Sequence, residues 1–531
     1  YPSEGRSEPV AVAVREVDPL QIPDPSWQNL HLRERFISGN GAVAGQINRR
    51  TEQGRLPMFL TAIPPEFRPG PGVPEGLRLT RPQVYVGSRP QFHAIVSAAE
   101  EGFQSPEGDP GVPGQDFPSG ILMSSLARTL ALAWNFQDAN LLFASEITRE
   151  SRFLYRRDVE SRVRALAPFL HLPEAPYPVV DEGRVVWILE AFTRSRSYPL
   201  SRLHPLGGRQ EANYLRNSVK VTVDAVTGET RLYASDPSDP LLQGWQRAFP
   251  GLIRDLEEIP TSLADRLRYS RWMLEVQTQV LTRFHQEDPA VFHGQQDRWA
   301  LAQELSVSGS QVAYRPEYSF LQLPGEMEES FTLSTVFVPA GRQNLASFLA
   351  ARWSPSRGPE LQLWDIPVDQ QVPGPRQVEA LVEQDPAISQ QFSLWRQGGS
   401  QVWTGHLHLV PVGNTLLYME PIFLAADSDA IPEVQRFVVS DGWRVAMETT
   451  LAGAIRALDG ARSPEAADAG TLEADSTPLP GTEPGLSVRP SEALQLLEEA
   501  ERRLREGDWQ GFGRRLEELK ELLRRAPEGG S

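Results

Sequence analysis

The side chains whose types and spacing could do chemistry gather near one stretch, Arg376 to Leu424. His406 and His408 are two residues apart, so in a strand they share one face, a spacing that can hold a metal ion. No third ligand is identifiable nearby, and two histidines satisfied within a sheet read the same way. Glu420, within Tyr418-Met419-Glu420-Pro421, is the most interesting acid. Buried among apolar neighbours its carboxyl has a raised pKa and can act as acid or base. Bonded to a backbone N–H or an arginine, it is structural instead. Glycoside hydrolysis takes a second carboxylate at a defined separation, which spacing in one sequence does not supply.

Two polar groups could bind a ligand. Arg342, Gln343 and Asn344 stand at the start of an expected short helix, where exposed N–H groups could hold an anion or the side chains could cap. Asn213, Arg216, Asn217 and Lys220 lead into a strand, as a binding cluster or as a solvated face. Ala234 to Pro240 looks only loosely like a calcium loop. It lacks the full EF-hand pattern, and capping by Asp239 explains it. No dinucleotide fingerprint, phosphate-binding loop or nucleophile elbow is present. No cofactor is expected.

The elements around Glu420 are legible. Asp385 can cap a helix with Pro386 at its first position, and Ile388, Phe392 and Trp395 make one stripe. Gly398-Gly399 ends it. From Gln401 to Pro411 the period becomes two: Trp403, Leu407 and Leu409 share one face, and Val402, His406, His408 and Val410 the other. Folding about Gly413-Asn414 sets Leu409 opposite Tyr418, His408 opposite Met419 and Leu407 opposite Glu420. Apolar residues on both faces imply a sheet covered on both sides.

These segments carry a resemblance. Asp385 to Val402, Val410 to Leu424 and Phe337 to Arg352 are similar to the soluble part of uncharacterised protein family 0182. Further matches are Leu79 to Gly87, Ile147 to Leu170, Asn213 to Thr230 and Asp236 to Gly251, in order from about residue 11 to 460. The resemblance implies a large bacterial membrane protein with several N-terminal transmembrane helices and a long extracytoplasmic domain. It implies no activity, cofactor or catalytic residue. Relatives tend to carry an apolar residue at the position of His408, which weakens the metal reading.

Composition narrows the partners. The chain has 531 residues, room for two to four domains, with 40% apolar residues. A net charge of −17 and a pI near 5.1 argue against nucleic acid or an anionic membrane surface as the main partner. The absence of cysteine excludes disulfides, thiol catalysis and thiolate metal sites. No apolar run reaches the roughly 18 residues of a membrane span. The nearest, Gly120 to Phe136, reads as a buried amphipathic helix. The chain starts at Tyr1 without a signal peptide, so an N-terminal portion is expected ahead of it, a membrane domain by the resemblance.

The fold class is α+β: mixed helices packed on antiparallel sheets in more than one subdomain, with a C-terminal αα-hairpin. Residues 1–120 mix strands and loops, with irregular Pro/Gly-rich segments at 63–76 and 105–120. Residues 121–310 are helix-rich. A stripe of Val159, Val163, Leu166 and Leu170 ends near Pro168. Two hairpins follow: Tyr177–Val180 with Arg184–Phe192, and Ser218–Asp224 with Glu229–Tyr233. Next come helices with Leu241, Trp245 and Phe249, then Met273, Val276, Val280 and Phe284, on their core sides. Residues 311–458 are β-rich, with strands Tyr318–Leu323, Phe331–Val338 and Leu361–Ile366, a short helix from Asn344 to Arg352, a strand Gln435–Ser440 turning at Asp441-Gly442, and a closing helix at Leu451–Leu458. Residues 459–490 form a linker spanning roughly 30 Å. Residues 491–527 form a helical hairpin whose two apolar stripes need a docking surface. The function expected is a non-catalytic extracytoplasmic domain that binds a ligand or partner, or self-assembles through that hairpin. The alternative is a cell-envelope hydrolase or transferase using Glu420.

Overall fold

Short runs of small and β-branched residues open the chain as a four-stranded antiparallel sheet of β1 (Val10–Val14), β2 (Ala42–Gln46), β3 (Met58–Thr61) and β4 (Glu66–Phe67). The structure, a computed structural model, describes residues 1–3, 6–18, 38–90, 92–96, 119–143, 147–306, 309–367, 369–397, 400–413, 415–425 and 431–460. The chain divides into Tyr1–Ser463 and Pro464–Ser531, and everything described lies in the first unit. The expected linker beyond Gly460, the helical hairpin at 491–527, Gly398-Gly399, Asn414 and nearly all of the 105–120 loop lie outside the described residues.

The segment expected to be a buried amphipathic helix is α1 (Leu126–Phe136), with Ser125 as its cap. Its buried face is narrow: Thr129, Leu132 and Ala133 are covered, while Leu126, Leu130 and Trp134 are 73%, 49% and 87% exposed. Next comes α2 (Val159–Leu166), capped by Asp158, whose carboxylate accepts the Ser161 N–H at 2.6 Å.

A five-stranded sheet occupies the middle of the chain: β5 (Tyr177–Asp181), β6 (Arg184–Ser195), β7 (Tyr214–Asp224), β8 (Thr230–Ala234) and β9 (Ile253–Asp255), in that spatial order. It is antiparallel except for the β8–β9 pair. The period of two sends Val185, Trp187, Leu189 and Ala191 to one face, against β2, β3 and α2. Val186 and Ile188 go to the other, against Ile259, Leu263 and Trp353. Between β8 and β9 runs α3 (Pro240–Ala248), and after the sheet α4 (Arg271–Phe284). Both helices form where they were expected, α3 behind its predicted Asp239 cap, but rotated from the predicted stripes. In α3 Leu242 is the buried residue, while Trp245 and Phe249 stack on Phe169, Trp245 at 4.2 Å, at a half-exposed surface. In α4 Leu274 and Thr278 are buried and Phe284 is exposed.

The third sheet holds β10 (Trp299–Leu301), β11 (Glu317–Gln322), β12 (Glu329–Pro339), β13 (Ser347–Ser354) and β14 (Gly358–Asp365). Its order is β10-β12-β13-β14, with β11 also on β12. Here one expectation is overturned: Asn344 to Arg352 is not a helix, because Ser347–Ser354 is an inner strand between β12 and β14. An inner strand buried on both faces reads as a continuous apolar run, which periodicity cannot separate from a helix. Phe348 and Ala350 face the next layer, while Leu349 and Ala351 face α4.

The last layer begins with α5 (Pro375–Gln384) and α6 (Pro386–Gln397). Its sheet comprises β15 (Gln401–Thr404), β16 (His408–Val412), β17 (Thr415–Ala425), β18 (Glu433–Ser440) and β19 (Val445–Glu448). Helix α7 (Leu451–Gly460) closes it, so the helix runs two residues past the expected start of the linker. Val382, Ile388 and Phe392 pack on Ile422 and Val438, and Ala454 and Leu458 on Val439. The molecule is α+β. Among the described residues no helix is long and apolar enough to cross a membrane.

The strand assignment of 347–354 makes a prediction. Phe348→Ala and Leu349→Ala should each cost about 3 kcal/mol, since neighbouring residues face two different cores. Urea midpoints for the two variants check this; a large loss from only one of them would fit the helix instead.

Candidate functional site

Glu420 lies in β17, an inner strand of the last sheet, and is 3% exposed. The register about Gly413 is the predicted one, with Leu409 opposite Tyr418 and His408 opposite Met419. The expected single strand from 401 to 411 is two, however. Thr404 pairs with Ile422 and His408 with Met419, so Gly405 to Leu407 stand against only Glu420 and Pro421. This bulge, held by the Gly405 N–H on the Pro421 carbonyl at 2.8 Å, puts Glu420 beside the Thr404 hydroxyl rather than simply opposite Leu407.

Two acids from distant segments join it. Glu379 projects inward from α5, on the stripe of Val378 and Val382, and accepts the Leu305 N–H at 2.8 Å. Glu304 accepts the Arg315 N–H at 3.3 Å and meets His406 Nδ1 at 2.7 Å. Burial first, and then the Glu379 carboxylate, push the Glu420 carboxyl up to about 8. Burial likewise raises Glu379 to about 7, against its backbone hydrogen bond and Arg376. The two histidines come together, ring centroids 4.9 Å apart and edge to face. His408 meets Ser319 Oγ at 3.3 Å, and burial followed by the His406 charge lowers it to about 4. Among the described residues no group of three or more His, Asp or Glu has the spacing to hold a metal ion.

The two polar groups fare differently. Asn213, Arg216, Asn217 and Lys220 do not form one cluster. Asn213 ties the Tyr198 and Ser201 backbone, and Arg216 pairs with Asp236 at 2.9 Å. Lys220 is no part of a solvated face: it is fully buried, directly opposite Glu190 across β6 and β7, and the two are ion-paired. Its ammonium also reaches the Arg268 carbonyl at 3.2 Å and lies 4.3 Å from the Trp353 ring centre, while Asn217 donates to Glu190 at 2.7 Å. Arg342, Gln343 and Asn344 do not start a helix, since β13 follows them; they belong to the turn leaving β12. The Gln343 carbonyl abuts Gly374, Asn344 bridges to Pro373, and Leu345 N–H bonds Val372 at 2.8 Å.

That turn is where two clefts meet. One, of about 610 Å³, runs along α5 to Trp443. The other, of about 950 Å³, runs past His285 and Trp299 to Asp365. Arg342 and Asn344 line both. Neither Glu420, Glu379 nor the histidines at 406 and 408 line either one.

Residues 1–395 match the model of an uncharacterised protein family, UPF0182. The chain belongs to this family. UPF0182 proteins of Cupriavidus necator, Pelobacter propionicus and Moorella thermoacetica are 38%, 36% and 35% identical to it over 97%, 99% and 98% of its length. The chain spans 55%, 57% and 56% of those relatives. No solved structure matches it.

Within this UPF0182 chain, sequence reasoning missed Glu379, Glu304 and the glutamines along α5. Glu379 had a signal: it is an acid set within the apolar stripe of a helix. Glu304 had none, because only tertiary folding brings it to His406.

Two measurements follow. Glu420 and Glu379 hold protons more tightly folded than unfolded, so their contribution is complete below pH 4.5 and is lost as pH rises through about 7 and about 8. Glu420→Gln should therefore flatten the fall in urea midpoint between about pH 5 and about pH 8.5; an unchanged slope would show that Glu420 ionises normally. Lys220→Met should cost about 4 kcal/mol by leaving Glu190 buried and unpaired, and pairing it with Glu190→Leu should recover most of that in the same measurement.

Proposed function

We propose that this chain is a non-catalytic ligand-binding domain of a longer membrane protein, acting on the extracytoplasmic side. One observation carries the reading. The clefts meet at Arg342, whose guanidinium makes no ion pair among the described residues, while the acids with raised pKa are packed away from both clefts. Catalysis by Glu420 needs a substrate within hydrogen-bond reach of its carboxyl. A ligand site needs concavity and a few convergent polar groups, which the clefts have.

The membrane tether and the extracytoplasmic side are what the family resemblance implies, and the missing 43 to 45% of the relatives' length is room for a transmembrane part. That part, and a protein partner or second copy engaged through residues 491–527, are the partners in this reading. The acidic chain fits neither nucleic acid nor an anionic surface. The enzymatic alternative, a cell-envelope hydrolase or transferase, rests on the raised pKa of Glu420.

Native mass spectrometry of the purified chain, followed by the same sample denatured, separates the two. The expected result is a small-molecule mass lost on denaturation, retained by Glu420→Gln and absent from Arg342→Gln. A mass that changes with Glu420→Gln while Arg342→Gln keeps it would place the activity at the buried acid. A bare mass in every sample would remove the support for a ligand site at Arg342.

A further inference from the structure

We propose that the cleft between α5 and Trp443 binds an oligosaccharide carrying a carboxylate, a ligand class that rests on the binding reading above. At about 610 Å³ it lies within the roughly 300–1,000 Å³ of small-ligand sites. Its polar lining is mostly amide: Asn344, Gln371, Gln377 and Gln384. A primary amide presents an acceptor and two donors side by side, the complement of a hydroxyl that both accepts and donates. Four of them around one cleft suit a ligand with many hydroxyls better than a charged or purely apolar one.

Helix α5 shows how the pattern arises. Gln377, Ala380, Leu381 and Gln384 fall at i, i+3, i+4 and i+7, so they make one stripe, opposite Val378, Glu379 and Val382 in the core. The cleft wall is thus a small apolar strip with an amide at each end. Gln377 uses its oxygen to accept the Gly374 N–H at 3.0 Å, which leaves its NH₂ for a ligand oxygen.

Trp443 supplies an aromatic surface of the same cleft. It is 67% exposed, yet it sits on a tight turn whose backbone is fixed. Asp441 accepts the Trp443 and Arg444 N–H groups at 3.1 and 2.9 Å and pairs with the Arg444 side chain, and Ser440 accepts the Gly442 N–H at 3.0 Å. Gly442 has φ of +94°, which lets the turn close. An indole held out on a rigid turn over a polar cleft is a stacking platform for the C–H face of a sugar ring.

Among the described residues that line this cleft, Arg342 is the only charged one. Its planar fork suits a carboxylate. A phosphate chain would call for more cations or a run of free N–H groups than one arginine provides. Beyond Arg342 the larger cleft turns acidic, with Glu287, Asp288, Asp297 and Asp365 against Arg298 and Arg342. The carboxylate-bearing sugar is thereby confined to the Trp443 side, and neutral units extend past it.

The test is isothermal titration calorimetry of the full chain with tetragalacturonate, maltotetraose and the tetramer of N-acetylglucosamine. Saturable binding of tetragalacturonate below about 1 mM is expected, about tenfold tighter than either neutral tetramer. Trp443→Ala should weaken all three about tenfold. Arg342→Gln should bring tetragalacturonate down to the level of the neutral tetramers. Both side chains are exposed, so an unchanged thermal midpoint is the folding control. Equal affinities for the acidic and neutral tetramers overturn the role given to Arg342. Indifference to Trp443→Ala overturns the site. No binding of any tetramer overturns the saccharide class; if the mass released from the native protein still depends on Arg342, the binding reading survives that failure, and if it does not, both fall.

Discussion

Three of the described sheets are buried on both faces, and most of the arrangement follows from that constraint. The middle sheet is sealed by β2, β3 and α2 on one side and by the Leu256–Leu267 segment and Trp353 on the other. The third sheet is sealed by α4 and by the last layer, and the sheet of that layer by α5 and α6 on one face and α7 on the other. Trp353 belongs to the third sheet and packs on the middle one, so the layers share residues and are coupled through their cores. A sheet in that position has no solvated face on which to place polar side chains, and any it carries must find partners inside.

The polar residues behave accordingly. Lys220 falls on the second face of β7 by simple alternation and meets Glu190 from the neighbouring strand, with Asn217 and the Arg268 carbonyl completing its contacts. His406 meets Glu304 and His408 meets Ser319. Glu420 is the least compensated of the set, with one hydroxyl partner and a second carboxylate as neighbour, and it responds by holding its proton. These groups look catalytic in a sequence because they are acids and histidines among apolar residues. In the folded protein the same setting places them away from the two clefts.

The cleft chemistry follows the opposite logic. Arg342 and Asn344 are on a surface turn whose position is set by backbone contacts to residues 372–374. Gly374 is needed there, because a Cβ on it would stand 2.0 Å from the Gln343 carbonyl oxygen. The Tyr418 hydroxyl anchors the same loop through the Pro373 carbonyl. The buried strand that carries Glu420 therefore also supports the cleft edge, as structure rather than as chemistry.

The sequence by itself determined whatever local physics can settle. Asp239 and Asp385 cap the helices they were expected to cap, and Gly413 and Asp441-Gly442 turn where turns were read. The α+β class and the family were legible for the same reason, since both rest on ordered runs of residues. Tertiary structure decided three other things. It made Ser347–Ser354 a strand, because a run that is apolar throughout has no period to declare its state. It rotated α3 and α4 about their axes, because several apolar stripes were available and only the neighbouring layer selects one. It also gathered Glu304, Glu379 and Glu420, and separately Arg342, Gln371 and Trp443, because burial and clefts are properties of segments far apart in the chain, and no local spacing encodes them.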